Sequence, residues 1–286
     1  MRKPVFAGSF YPKTEGSLRR TIESCFTGSR GPGELPSKPK KLSQPIKGLI
    51  LPHAGYHYSG MAAAWGYKAI AESAVPDLFI ILAPNHNSLR SGISIETFQM
   101  PFGEVRVDQE FARALAEKGS LRINEEIHAP EHSIEVQLPL LQFALDSKAE
   151  KLKILPILVS SDIDLRQAAL DLKETIIDLR RTVTFIVSSD FTHYGRNYHY
   201  MPFYKDIREN LSELDGRAFE LIKAHNLAGF EAFVDETEDT ICGLYPIKLF
   251  LKAVSFDNAM LEQYYVSGDI TGDYKNSVSY ACMLFR

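Results

Sequence analysis

Short, mainly apolar runs alternate along the chain with stretches of helical spacing. Gly48–Leu51, Leu78–Leu82, Leu152–Val159 and Val183–Val187 read as strands buried on both faces. Ile93–Phe98, Val105–Val107, Leu261–Val266 and Val278–Leu284 read as further strands, the last two bounded by Gly268, Asp269, Gly272 and Asp273. Helices are predicted at Thr14–Phe26, where Leu18, Ile22 and Phe26 share a face, and at Met61–Ala71, Gln109–Lys118 and Ile134–Leu145. In the last of these Pro139 should bend the helix. Leu165–Leu179, a long helix through Ile207, Leu211, Leu214, Ala218 and Ile222, Ala228–Asp235 and Leu244–Ala253 complete the set. Strands separated by such helices imply right-handed crossovers. The expectation is one α/β domain over residues 1–286, with a mainly parallel central sheet and helices on both faces.

One stretch breaks the pattern. Thr27–Pro45 holds Gly28, Gly31, Gly33, Pro32, Pro36, Pro39 and Pro45, with Lys38, Lys40 and Lys41 among them. It is expected to be an exposed irregular loop, a solvated face being the stronger reading of the lysines than a phosphate patch.

Composition narrows the function classes. The 36 acidic and 32 basic side chains leave a net charge of −4, which lacks the basic excess expected for nucleic acid. Leu78–Ala83, the longest unbroken apolar run in the middle of the chain, is too short to cross a bilayer. Arg2 and Lys3 lead into Pro4, Gly8 and Ser9 without the apolar core of a secretory signal. Three cysteines, Cys25, Cys242 and Cys282, do not make a disulfide framework and fit a reducing cytoplasm.

The polar chemistry collects after the strands. Pro52-His53-Ala54-Gly55-Tyr56 follows the first, Pro84-Asn85-His86 the second, and Ser188-Ser189-Asp190-Phe191-Thr192-His193 the fourth. Carboxyl ends of parallel strands share one rim, where ligands bind. His53, His86, Asp190 and His193 should therefore meet at one edge. Imidazoles favour a transition-metal site, with Asp190 or Cys242 as the open choice for a third ligand. Cys242 precedes a helix, where a thiolate is favoured. His128 and His132 stand four apart, but Pro130 denies Ala129 helical geometry, so they are no helical metal pair. His132 remains a candidate acid or base. His57, His199 and His225 have no polar company, and no glycine-rich phosphate loop of standard spacing is present.

Seven segments in order resemble the Memo family (mediator of cell motility): Ala7–Pro12, Pro52–Tyr56, Ala83–His86, Glu131–Glu135, Ser188–Gly195, Ile241–Gly243 and Ser277–Ala281. The resemblance implies a fold like the class III extradiol-type non-haem iron dioxygenases. It implies a metal held by His53, His86 and Cys242, with Asp190 and His193 lining the pocket. Asn87 stands where some relatives carry a second histidine. Radical-SAM and AMMECR-type proteins are the partners implied.

Three functions compete. The first is an Fe(II)-dependent, or Cu- or Zn-containing, oxidoreductase acting on a small molecule, with His132 or His193, oriented by Asp190, as acid or base. The second, implied by the resemblance, is a peptide or phosphopeptide adaptor using the same cleft. The third is a cysteine hydrolase with Cys242 as nucleophile backed by His193 and Asp190.

Overall fold

In a computed structural model the described residues are all but 38–44, 147–148 and 150–151. In chain order the elements are α1 (Glu15–Thr27), β1 (Gly48–Leu51), α2 (Tyr56–Ala71), β2 (Leu78–Pro84), β3 (Gly92–Ile93), β4 (Phe98–Met100) and β5 (Gly103–Val107). Then come α3 (Gln109–Lys118), α4 (Glu125–His128), α5 (Gln137–Leu145), β6 (Lys153–Val159), α6 (Leu165–Asp178), β7 (Val183–Ser188) and β8 (His193–Gly195). The chain closes with α7 (Ile207–Lys223), α8 (Leu227–Thr237), α9 (Leu244–Ala253), β9 (Ala259–Val266), α10 (Gly268–Thr271) and β10 (Asn276–Phe285).

The strands form one sheet in the order β4-β5-β6-β2-β7-β1-β10-β8, with β3 paired to β6 and β9 to β10. The centre, from β5 to β1, is parallel throughout. The flanks are antiparallel: β4 with β5, β3 with β6, and β10 with β1, β8 and β9. The sheet is therefore mixed rather than parallel to its edges. The physical reason lies in the connections, since β4–β5 and β9–β10 are joined by segments too short for a crossover helix.

Helices cover both faces. A Cβ on Gly48 of β1 would lie 2.4 Å from Phe250 of α9, while Gly66 of α2 sits against Leu49 and Leu51. Successive strand residues point to opposite faces, so α9 and α2 pack on opposite sides of β1. The central strands are buried on both faces, which is why they read as continuous apolar runs.

Local departures from the sequence reading have clear causes. The helix expected at Ile134 begins at Gln137, which places Pro139 in the first turn, where no amide partner is required. Helix α2 starts at Tyr56 rather than Met61, its polar first turn holding Ser59 Oγ on the carbonyl of Ala54. The strand expected over Ile93–Phe98 is split into β3 and β4, which pair with different neighbours. Of the glycine- and proline-rich stretch, Thr27 closes α1 and Gly31 is buried against the Cys25 carbonyl. The Arg30 carbonyl accepts from Trp65 and Gln263, and its guanidinium donates to the Asp269 carbonyl. Lys38, Lys40 and Lys41 lie outside the described residues. No helix among the described residues is long and apolar enough to cross a membrane.

Candidate metal centre

The carboxyl ends of β1, β2 and β7 lie side by side, as parallel neighbours must, and they deliver His53, His86 and Asp190 to one edge. His53 is 2% exposed. Its amide donates to Asp190 Oδ1 at 2.9 Å, and its Nδ1 lies 2.9 Å from Ser188 Oγ. The protonation of that ring follows from its neighbours. Tyr67 donates to Gln137 Oε1, so Gln137 Nε2 is the donor to Ser188 Oγ at 2.8 Å. Ser188 spends its single hydrogen on the Ser133 carbonyl at 2.7 Å. Ser188 Oγ is thus an acceptor toward His53, which places the proton on Nδ1 and leaves the Nε2 lone pair facing Cys242 Sγ at 3.2 Å. Burial, with His86 and His132 nearby, holds His53 well below an ordinary imidazole, in the neutral form that ligates metals.

His86 lies nearer the mouth and is fixed by Glu131. Its amide donates to Oε2 at 2.6 Å and its Nδ1 lies 3.0 Å from Oε1. The same carboxylate receives the amides of His132 and Ser133 and the side chain of Asn87. Burial alone would raise Glu131, but hydrogen bonds from His132 and His86 hold it far below the usual carboxylate range. An ionised carboxylate only accepts, so His86 carries its proton on Nδ1 and turns Nε2 away from Glu131. This carboxylate–histidine pairing is the arrangement that orients metal-bound imidazoles.

Cys242 comes from the turn before α9. Its Sγ receives the Asp190 amide at 3.1 Å. The following Gly243 approaches so closely that a Cβ there would lie 2.2 Å from Ser189 Cβ, so only glycine permits this path. Burial and then the Asp190 carboxylate push the thiol well above its usual value. A nearby cation is what would favour the thiolate.

The donor atoms of His53, His86 and Cys242 all lie within 4.8 Å of one another. Tetrahedral N and S ligands at about 2.1 and 2.3 Å from an ion sit roughly 3.4–3.6 Å apart. Cys242 Sγ and His53 Nε2 already stand 3.2 Å apart, within reach of one ion, and two imidazoles and one thiol are the soft-to-borderline donors that transition metals take. His86, Glu131 and His132 form a second such group. There the Glu131 oxygens are already engaged by amides.

Asp190 and His193 face the same cleft, but not as a pair. His193 Nδ1 lies 2.9 Å from the Phe191 carbonyl and 3.1 Å from that of Thr240, both of which only accept. Nδ1 therefore carries a proton, and backbone carbonyls orient the ring where Asp190 was expected to. Asp190 instead anchors the His53 amide, and burial raises its carboxyl. The hydrolase arrangement is not formed either, since the imidazole beside Cys242 is His53. His132 stacks on His86 with ring centroids 4.7 Å apart and lies 4.5 Å from the Phe10 ring. His128 is buried elsewhere, its Nε2 on the Gly92 carbonyl.

His53, His86, His132, Asp190 and His193 line a cavity of about 570 Å³ walled by Phe10, Tyr58, Tyr198 and Tyr280. Sequence reasoning missed the polar layer beneath it: Ser188, Gln137 and Glu131. Glu131 and Ser188 each open a segment already singled out but carry no role in that reading, whereas nothing local marks Gln137.

The fold and the cluster define a class: an open mixed α/β sheet carrying two histidines and a cysteine beyond its parallel strand ends. The family described as Memo-like protein matches residues 2–284. A MEMO1 family protein of Methanopyrus kandleri is 37% identical over 294 residues, covering all of this chain and 99% of that one. Another, from Methanococcus maripaludis, is 39% identical over 299 residues with the same coverage. The chain belongs to the Memo family. Among solved structures, an uncharacterized protein from Escherichia coli K12 matches with a TM-score of 0.50 at 10% identity, covering 85% of this chain and all of that one, a likeness of fold alone.

Proposed function

We propose that His53, His86 and Cys242 hold a transition-metal ion, Fe(II) before Cu or Zn, and that the cleft above it is a dioxygenase-like oxidoreductase site for a small molecule. The supporting observation is the convergence of three donor atoms within 4.8 Å, with both imidazoles already turned and protonated for ligation. When bound, Fe(II) would supply redox chemistry toward dioxygen and Lewis acidity toward a substrate oxygen. The protein's own part is positioning and proton transfer. His193 has its Nδ1 held by two carbonyls, which leaves Nε2 to act as a general base in the neutral ring. His132, with Nδ1 3.2 Å from Glu131 Oε1, is the second candidate acid or base. Asp190 fixes the main chain at His53 and lines the cleft. Cytoplasmic residence, and work alongside radical-SAM and AMMECR-type proteins, belong to the same proposal.

The test is metal content and metal-edge spectroscopy on protein purified without oxygen, set beside Cys242→Ser. About one ion per chain with a sulfur ligand that the variant loses is expected. An equal metal content in Cys242→Ser, with equal alkylation of Cys242 in the wild type with and without Fe(II), would remove Cys242 from the site. A second reading, a peptide- or phosphopeptide-binding adaptor without catalysis, draws on the aromatic walls Phe10, Tyr58 and Tyr198. Metal-independent binding of peptide returned unchanged would favour it.

A further inference from the structure

We infer that the cleft selects an uncharged or cationic aromatic ligand and discriminates against phosphorylated or carboxylated ones, with Asp273 as a specificity-determining residue. The inference rests on the reading of this cleft as the ligand site. Among the described residues, no lysine or arginine lines the cavity. Its charged side chains, apart from the imidazoles, are Asp190 and Asp273. Anion sites are built from guanidinium forks, ammonium groups or runs of free amides, and phosphotyrosine recognition in particular uses arginines. Three arginines on neighbouring elements are committed elsewhere. Arg208 binds both oxygens of Asp269 at 3.0 Å, Arg30 donates to the Asp269 carbonyl, and Arg2 is buried against Glu135.

The walls suit a flat ring. Phe10, Tyr58, Tyr198 and Tyr280 supply aromatic faces and edges, and Asn197, Asn276 and Ser267 supply neutral polar atoms. Aromatic faces also attract cations. Asp273 belongs to the β9–β10 connection. Its Oδ1 accepts the Lys275 amide at 2.8 Å and its own amide donates to Thr271 Oγ1, so the carboxylate is fixed by a local turn. An ion at His53, His86 and Cys242 would carry a charge already reduced by the thiolate and would engage the ligand's donor atoms. A substituent reaching Asp273 then meets a fixed negative charge. At about 4 Å a like charge costs roughly sixfold in affinity in water-like surroundings. Arg196 and Lys275 are exposed and adjoin the lining residues Asn197 and Asn276 in sequence, but neither lines the cavity.

The experiment titrates three probes of one shape and different charge: catechol, its protonated 4-(2-aminoethyl) derivative and 3,4-dihydroxybenzoate, with O-phosphotyrosine as a fourth. Binding is measured calorimetrically to the full chain, zinc-loaded and after chelation. The cationic probe should bind at least tenfold more tightly than the benzoate. Asp273→Asn should shrink that ratio to about twofold, and Asp273→Lys should invert it. An anionic probe that binds as tightly as the others, above all one weakened by Arg196→Ala or Lys275→Ala, overturns the inference. So does an unchanged ratio in Asp273→Asn, or failure of every probe to bind. A charge order kept by protein that takes up no zinc would sink the metal reading and leave this one standing; zinc uptake without a charge order would do the reverse.

Discussion

A pair of carboxylates behind the cleft should make stability fall as the pH rises toward neutrality. Asp215 is 0% exposed and accepts the Thr192 amide at 3.2 Å, the Thr192 hydroxyl at 2.7 Å and the Tyr264 hydroxyl at 2.7 Å. Asp239 is 6% exposed, and neither of its oxygens makes a hydrogen bond of good geometry, the Thr192 side chain and the Thr240 amide being weakly placed donors. Burial and then the charge of Asp215 raise Asp239 from 3.8 to about 7. Burial raises Asp215 as well. Donors converge on Asp215, so it keeps the charge and Asp239 holds the proton. Between about pH 4 and 7 the folded protein therefore binds a proton that the unfolded chain has released. The contribution of Asp239 is complete below that window and is lost as the pH rises through it. At 1.36 kcal/mol per unit, three units amount to at most about 4 kcal/mol, and sharing of the titration within the pair brings the expected loss to about 2–4 kcal/mol.

Asp239→Asn mimics the protonated side chain and should abolish this term. Urea unfolding of wild type and variant from pH 4.5 to 8 is the assay. The two should be about equally stable at the acid end, and the variant should be more stable by about 2–4 kcal/mol at pH 8. His128, pushed down to about 4 by burial, adds a slope of opposite sign. That slope is common to both proteins and cancels in the difference. A difference that stays flat across the pH range refutes the assignment of the proton to Asp239.

Three further outcomes are expected. Glu131→Gln weakens the hold on His86 Nδ1 and should lower zinc affinity about 10–100-fold in a chelator competition, with the fold intact by circular dichroism. Arg2→Ala leaves Glu135 buried without its 2.7 Å ion pair and should cost about 3 kcal/mol in denaturant unfolding, at the low end for such pairs because Phe6, Val5 and Tyr11 still donate to it. Gly243→Ala drives a methyl into Ser189 and should displace Cys242, so melting temperature and metal uptake should fall together; wild-type values for both would show that the turn has room.

Much of this architecture was legible because buried strands leave continuous apolar runs, as Leu78–Ala83 and Phe185–Val187 do. His53, His86 and Asp190 could be brought to one rim from sequence alone, since parallel strands share their carboxyl ends. Choosing Cys242 as the third metal donor was harder. It arrives from a turn far along the chain, and the family resemblance, not spacing, singled it out. The antiparallel flank was only half legible. The Gly268–Asp273 turn was visible, but β8 has three residues and gains its identity from pairing with β10. The orientation of His193 was misread because backbone carbonyls leave no mark in a sequence, whereas the adjacent Ser-Ser-Asp suggests a side-chain partner.

The polar layer was illegible for the same physical reason that makes it effective. Arg2, the Phe6 amide and Tyr11 converge on Glu135, although 124 or more residues separate them from it. Arg2 also donates to the Glu131 carbonyl at 2.6 Å, and Phe10 packs on His132. One short segment, 131–135, therefore carries the carboxylate that turns His86, the imidazole that stacks on it, and the buried acid that captures the N-terminal residues. The Ser133 carbonyl in that segment also takes the Ser188 hydrogen, which decides the tautomer of His53. Both imidazoles offered to a metal are thus set from this one segment, one through a carboxylate and the other through a serine relay. A buried network of this kind is strong only when every member is satisfied. Loosening it should disturb both histidines together while leaving the apolar sheet beneath them in place.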